Sequence, residues 1–118
     1  MSAPNIFTVT SCIAKTVVQL ATTSPVVFLQ NAASSNSLYK INTIIVSNKA
    51  VSPADVTVNL VRSAVSYPLA YTVTVADKST LVLLGKDTAL YLEEADSLNI
   101  TSSASTALTV ICSYEEVS

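Results

Sequence analysis

Apolar and polar residues alternate along much of the chain. In Asp55-Val56-Thr57-Val58-Asn59-Leu60 every second side chain is apolar, and the same holds in Ala70-Tyr71-Thr72-Val73-Thr74-Val75. Leu98-Asn99-Ile100-Thr101 repeats the pattern, as does Leu108-Thr109-Val110-Ile111-Cys112-Ser113-Tyr114. A period of two sends one set to a buried face and the other toward water. The outward set is mostly Thr, Asn and Ser, which suit a pleated solvent face. Segments 16–21, 26–30, 41–46 and 81–84 are apolar on both faces. These fit central strands, or strands whose second face a neighbouring subunit covers. No window of ten residues carries a helical stripe free of β-branched interruption. Residues 31–36 and 52–54 are the best places for a short helical turn.

Turn signals separate the runs at regular intervals. They are Thr22-Thr23-Ser24-Pro25, residues 31–36, residues 48–55 around Pro53, Ser66-Tyr67-Pro68 and Asp77-Lys78-Ser79. Gly85-Lys86-Asp87-Thr88, Glu93-Glu94-Ala95-Asp96-Ser97 and residues 102–106 follow. About eight to ten short strands at this spacing predict an all-β fold, an antiparallel β-sandwich of jelly-roll type. Residues 6–118 form the single sandwich domain. Met1, Ser2, Ala3, Pro4 and Asn5 form an N-terminal arm, because they lack periodicity and Pro4 blocks regular pairing.

Composition agrees with this pattern. Of 118 residues, 16 are Val, 7 Ile and 14 Thr, so a third of the chain is β-branched and sheet-prone. Half of the chain is apolar, which excludes a disordered chain. Histidine is absent, removing His-based catalysis and His metal ligands, and the lone Gly85 cannot build a Gly-rich phosphate loop. The basic residues Lys15, Lys40, Lys49, Arg62, Lys78 and Lys86 are scattered in a chain of net charge −2, so nucleic-acid binding is not expected. No apolar run reaches the roughly 20 residues of a membrane span, so no membrane partner is expected either. The N-terminus lacks the basic-then-apolar order of a signal peptide, which predicts synthesis in a cytoplasm without export by that route. Cys12 and Cys112 read as free buried thiols in a reducing compartment, or as a disulfide if the first and last strands are neighbours.

Candidate chemistry is sparse. Glu93, Glu94 and Asp96 form the one acidic cluster. A carboxylate pair flanking a sugar can hydrolyse glycosides, and three carboxylates can hold calcium. However, Glu93 and Glu94 diverge in extended chain, and Asp96 before a strand reads as a turn residue bonding backbone amides. No enzymatic activity, cofactor or metal is expected. Tyr71 and Tyr114 are in phase with apolar neighbours and read as core rings. Tyr91 is out of phase with Leu90 and Leu92, and Tyr67 precedes Pro68, so these two point to an interface. Exposed aromatics also serve sugar-binding surfaces, but the lack of tryptophan weakens a lectin reading. The chain carries 12% charged residues, well below the ~25–35% of typical soluble surfaces, so much of its exterior is expected to be covered in an assembly.

Three stretches carry a resemblance: Ala76-Asp77-Lys78-Ser79-Thr80-Leu81-Val82-Leu83-Leu84, Ala89-Leu90-Tyr91-Leu92-Glu93-Glu94-Ala95-Asp96-Ser97-Leu98, and Ala107-Leu108-Thr109-Val110-Ile111-Cys112-Ser113-Tyr114-Glu115-Glu116. Together with Ile44-Ile45-Val46-Ser47-Asn48 and Ala54-Asp55-Val56-Thr57-Val58, they resemble small virion structural proteins of tailed bacteriophages, including those of cyanobacteria. The resemblance spans roughly residues 40–118, with Ala95 standing where Gly is common in the family. It implies a virion location after synthesis in the host cytoplasm, and a capsid decoration (cement) role. The alternatives it leaves are a neck, baseplate or tail component, or an adhesin-like glycan-binding sandwich. The implied partners are further copies of the chain, with a trimer favoured, and the phage major capsid protein or other virion proteins. The expected interface comprises the arm, the loop residues Asn48, Val51 and Pro53, and Tyr67 and Tyr91.

Overall fold

The computed structural model describes residues 11–85 and 90–118. The arm of residues 1–5 and most of the Gly85-Lys86-Asp87-Thr88 turn lie outside them. The described residues form nine strands and no helix: β1 (Cys12–Leu20), β2 (Val26–Gln30), β3 (Leu38–Asn48), β4 (Ala54–Arg62), β5 (Val65–Val75), β6 (Thr80–Leu84), β7 (Leu90–Leu92), β8 (Ser97–Ser102) and β9 (Leu108–Val117). Residues 31–36 and 52–54 are turns and bends rather than helical.

The strands make two antiparallel sheets. The front sheet has the order β1-β9-β3-β6, with β7 also pairing β3, and the back sheet has the order β2-β8-β4-β5. The chain passes between sheets at most connections, giving the interleaved strand orders of a jelly roll. The sandwich expected from alternation is therefore the one observed.

The core fills the space between the sheets. Ile41, Ile44, Val46, Leu108, Val110 and Cys112 from the front sheet meet Phe28, Val56, Val58, Leu98 and Ile100 from the back. Burying each large aliphatic side chain contributes about 1.5–3 kcal/mol. Strand β8 follows the period-two rule throughout, with Leu98, Ile100 and Ser102 buried between partly exposed neighbours.

Strand β5 departs from the rule. The expected break at Ser66-Tyr67-Pro68 is continuous strand. Pro68 is accommodated because β5 lies at the edge of its sheet, where a missing N–H need not cost a ladder bond. The turn falls earlier: Arg62 pairs Val65 across Ser63 and Ala64, both left-handed at φ 53° and 63°. That is a two-residue hairpin of the kind whose twist suits adjacent strands. The β4–β5 register then shifts twice, between Val56 and Val58 and between Val58 and Asn59. In the first shift Tyr71 and Thr72 oppose Thr57 alone, with Thr72 at φ 52° and its N–H donating to Thr57 Oγ1 at 3.0 Å. The extra residue reverses the phase of the strand. Tyr71, expected in the core, is consequently 76% exposed, whereas Tyr114 is buried as expected.

Candidate assembly surfaces

The expected interface residues fall at opposite ends of the sandwich. Val51 and Pro53 are exposed on the β3–β4 loop. Tyr67 and Tyr91 are 52% and 47% exposed. They sit beside Leu60 and Lys40, near the other end of the strands that flank this loop. Asn48 is not a surface residue at all. It is 3% exposed, and its Nδ2 donates to the carbonyls of Ser52 (3.0 Å) and Val75 (3.1 Å). Its Oδ1 accepts the Ala50 N–H at 2.9 Å. A buried amide bonded on both ends is an organiser of the loop, not a contact residue.

The acidic turn is structural. Asp96 is 2% exposed and accepts the Glu93 N–H at 2.8 Å, as expected of a turn carboxylate. Its second partner lies 34 residues away and is not legible from the local pattern. Arg62, at the end of β4, grips both Asp96 oxygens through Nε (2.9 Å) and Nη2 (2.5 Å) and lies 3.0 Å from Glu93. Such a fork-to-carboxylate pair fixes direction as well as charge. Asn31 completes the rim: its Nδ2 donates to the carbonyls of Ser37 and Leu92, and its backbone bonds Ala95 and Asp96. Arg62, Ser63, Ala64 and the acidic turn line an open depression of about 470 Å³. Asp96, committed to the guanidinium and a backbone amide, braces the rim of this depression.

The cysteines answer the question the sequence left open. Strands β1 and β9 are neighbours, but Cys12 pairs with Val117 and Cys112 with Val17. Five residues of offset is about 17 Å along the strands, far beyond disulfide reach. Both thiols are free. Cys112 is buried, and desolvation pushes its thiol up to about 12. Cys12 is exposed, and its thiol donates to Glu115 Oε2 at 3.5 Å. Its pKa is also raised, first by desolvation and then by that carboxylate.

Two apolar surfaces remain among the described residues. One runs along β5: Val65, Tyr67, Leu69, Tyr71 and Val73 are each 36% exposed or more. The other crosses the outer face of the front sheet. Val18 pairs Ile111, Ile111 pairs Ile45 and Ile45 pairs Val82, so four β-branched side chains form a row perpendicular to the strands. Val18 and Val82, at its ends, are 62% and 63% exposed. The doubly apolar segments 16–21 and 81–84 were the signal for this row. The β5 residues Leu69, Tyr71 and Val73 gave no such signal, because the bulge is invisible in the alternation.

No protein-family model and no characterised protein sequence matches the chain. Among solved structures it is similar to a chain from Bacillus endospore appendages, described as a novel family of disulfide-linked pili. The superposition covers 98% of this chain and 95% of that one, with a TM-score of 0.58 and 14% identity. At that identity the likeness is one of fold: a jelly-roll sandwich shared over its whole length with a pilus protein.

Proposed function

We propose that this protein is a structural subunit of a repeating protein assembly, and that it acts by burying surface rather than by catalysis. The observation that carries this reading is the set of five exposed large apolar residues spread over both sides of the edge strand β5. Pro68 and the two register shifts blunt the edge of β5 against strand pairing, so these five uncharged positions offer side-chain contact rather than strand addition. Many such contacts, each weak, sum by avidity in a lattice. The motif resemblance favours a capsid decoration protein of a tailed phage, with the chain on the shell exterior in virions. The fold likeness supports a second form of the same role, a filament subunit.

Mass spectrometry of purified particles separates these forms. A copy number matching a capsid lattice supports decoration, and a few copies per particle support a neck or tail position. Filaments of the isolated protein in negative-stain electron microscopy support the second form. Tyr71→Glu together with Leu69→Glu is expected to abolish particle or filament incorporation while leaving the chain folded. Unchanged incorporation overturns the reading of the β5 residues.

A further inference from the structure

We infer that two copies of this chain pack front sheet to front sheet about a two-fold axis parallel to the strands, between β9 and β3. The inference rests on the self-assembly reading and names one contact within it. The outer face of the front sheet is ordered in rows. The apolar row Val18–Ile111–Ile45–Val82 is flanked on one side by Thr16, Ser113 and Thr43, and on the other by Leu20, Thr109, Ser47 and Thr80. None of these side chains is charged. Toward the other end of the sheet lies a charged pair: Lys40 of β3 is in register with Glu115 of β9. Lys40 turns outward, since its neighbours Tyr39 and Ile41 pack inward against the core. Glu115 lies outward with it, between the buried Tyr114 and the salt-bridged Glu116.

The proposed axis lays β9 of one copy over β3 of the other. Ile111 then covers Ile45 of the second copy, Ser113 covers Thr43, Val18 covers Val82, and Glu115 covers Lys40, each contact occurring twice. Apolar meets apolar, hydroxyl meets hydroxyl, and the two charges meet their opposites. This complementarity identifies a second copy as the occupant, because a two-fold contact makes one surface serve both sides. The same layout puts sheets face to face at the usual ~10 Å spacing with strands nearly aligned. Nine residues on each of β1, β9 and β3 and the five of β6 give roughly 500 Å² per copy, or roughly 1,000 Å² in total. That is just below the ~1,200 Å² of a stable specific interface, so the isolated pair is concentration-dependent and is reinforced inside an assembly.

Sedimentation equilibrium of the full chain over a wide concentration range tests the contact, using Lys40→Glu and Glu115→Lys variants. Each variant alone places like charges opposite each other and is expected to weaken association at least tenfold. An equimolar mixture of the two is expected to recover it, because every facing pair is then opposite in sign. An effect within one copy cannot be rescued by mixing. Loss without rescue, or no loss in either variant, overturns the two-fold arrangement. Val82→Lys gives a second route: it removes the apolar row at a site already 63% exposed and should abolish the dimer with the fold intact. A wild-type chain that associates but ignores all three substitutions overturns this contact and leaves the assembly reading standing. A wild-type chain that stays monomeric at millimolar concentration overturns both.

Discussion

Strands β8 and β5 belong to the same sheet and are both rich in alternating Leu, Ile, Val and Thr, yet they do opposite things. β8 lies between β2 and β4, keeps a simple register with both, and buries Leu98 and Ile100 completely. β5 has a neighbour on one side in its sheet, shifts register twice, and buries only Ala70 and Val75 along eleven residues. The turns that deliver them differ in the same sense. Asp96, clamped by Arg62, starts β8, whereas two left-handed non-glycine residues start β5. A central strand thus spends its apolar side chains on folding. An edge strand with bulges keeps them for contact with other molecules.

The strongest way to break this contrast is truncation. Leu98→Ala should cost about 2–5 kcal/mol in urea unfolding, through lost transfer energy and the cavity left behind. Leu69→Ala on β5 should stay within about 1 kcal/mol, and equal losses would erase the distinction.

Alkaline titration probes the same burial through β9. The Cys112 thiol ionises near 8.5 in the unfolded chain and near about 12 in the fold. Below pH 8.5 both states hold the proton and stability is flat. Above it the unfolded state releases the proton first, so stability falls by about 1.4 kcal/mol per pH unit until pH 12. The total is on the order of 5 kcal/mol. Tyr39, raised by desolvation and by Glu116, acts in the same direction above pH 10. Cys112→Ala should flatten most of the decline between pH 9 and 12 in pH-dependent chemical denaturation.

Asp96→Ala removes both the Arg62 fork and the Glu93 amide bond at the entry to β8. It is expected to cost about 2 kcal/mol, measured by thermal unfolding. At the entry to β5 the sign reverses. Ala64→Gly relieves a left-handed alanine and should stabilise the hairpin by about 1 kcal/mol. The smallest folding effect belongs to Tyr71→Ser, within about 0.5 kcal/mol, although the same change should impair assembly.

Local pattern alone determined that this chain is a β-sandwich with short antiparallel strands, because a period of two has few other uses in a chain poor in glycine and rich in β-branched residues. It also determined that Tyr114 faces the core, that Asp96 ties down its turn, and that the exterior carries little charge. It misplaced Tyr71 and Asn48. A single inserted residue with positive φ flips a strand's faces without altering its apparent alternation. An asparagine amide becomes internal when the chain brings partners around it, here Ala50 and Ser52 of its own loop and the distant Val75 carbonyl. Only the tertiary structure could set Cys12 five residues out of register with Cys112, bring Arg62 onto Asp96, and align Val18, Ile111, Ile45 and Val82 into one row. Those relations join strands far apart in sequence, and register between strands is fixed by packing of the whole sandwich rather than by any one segment.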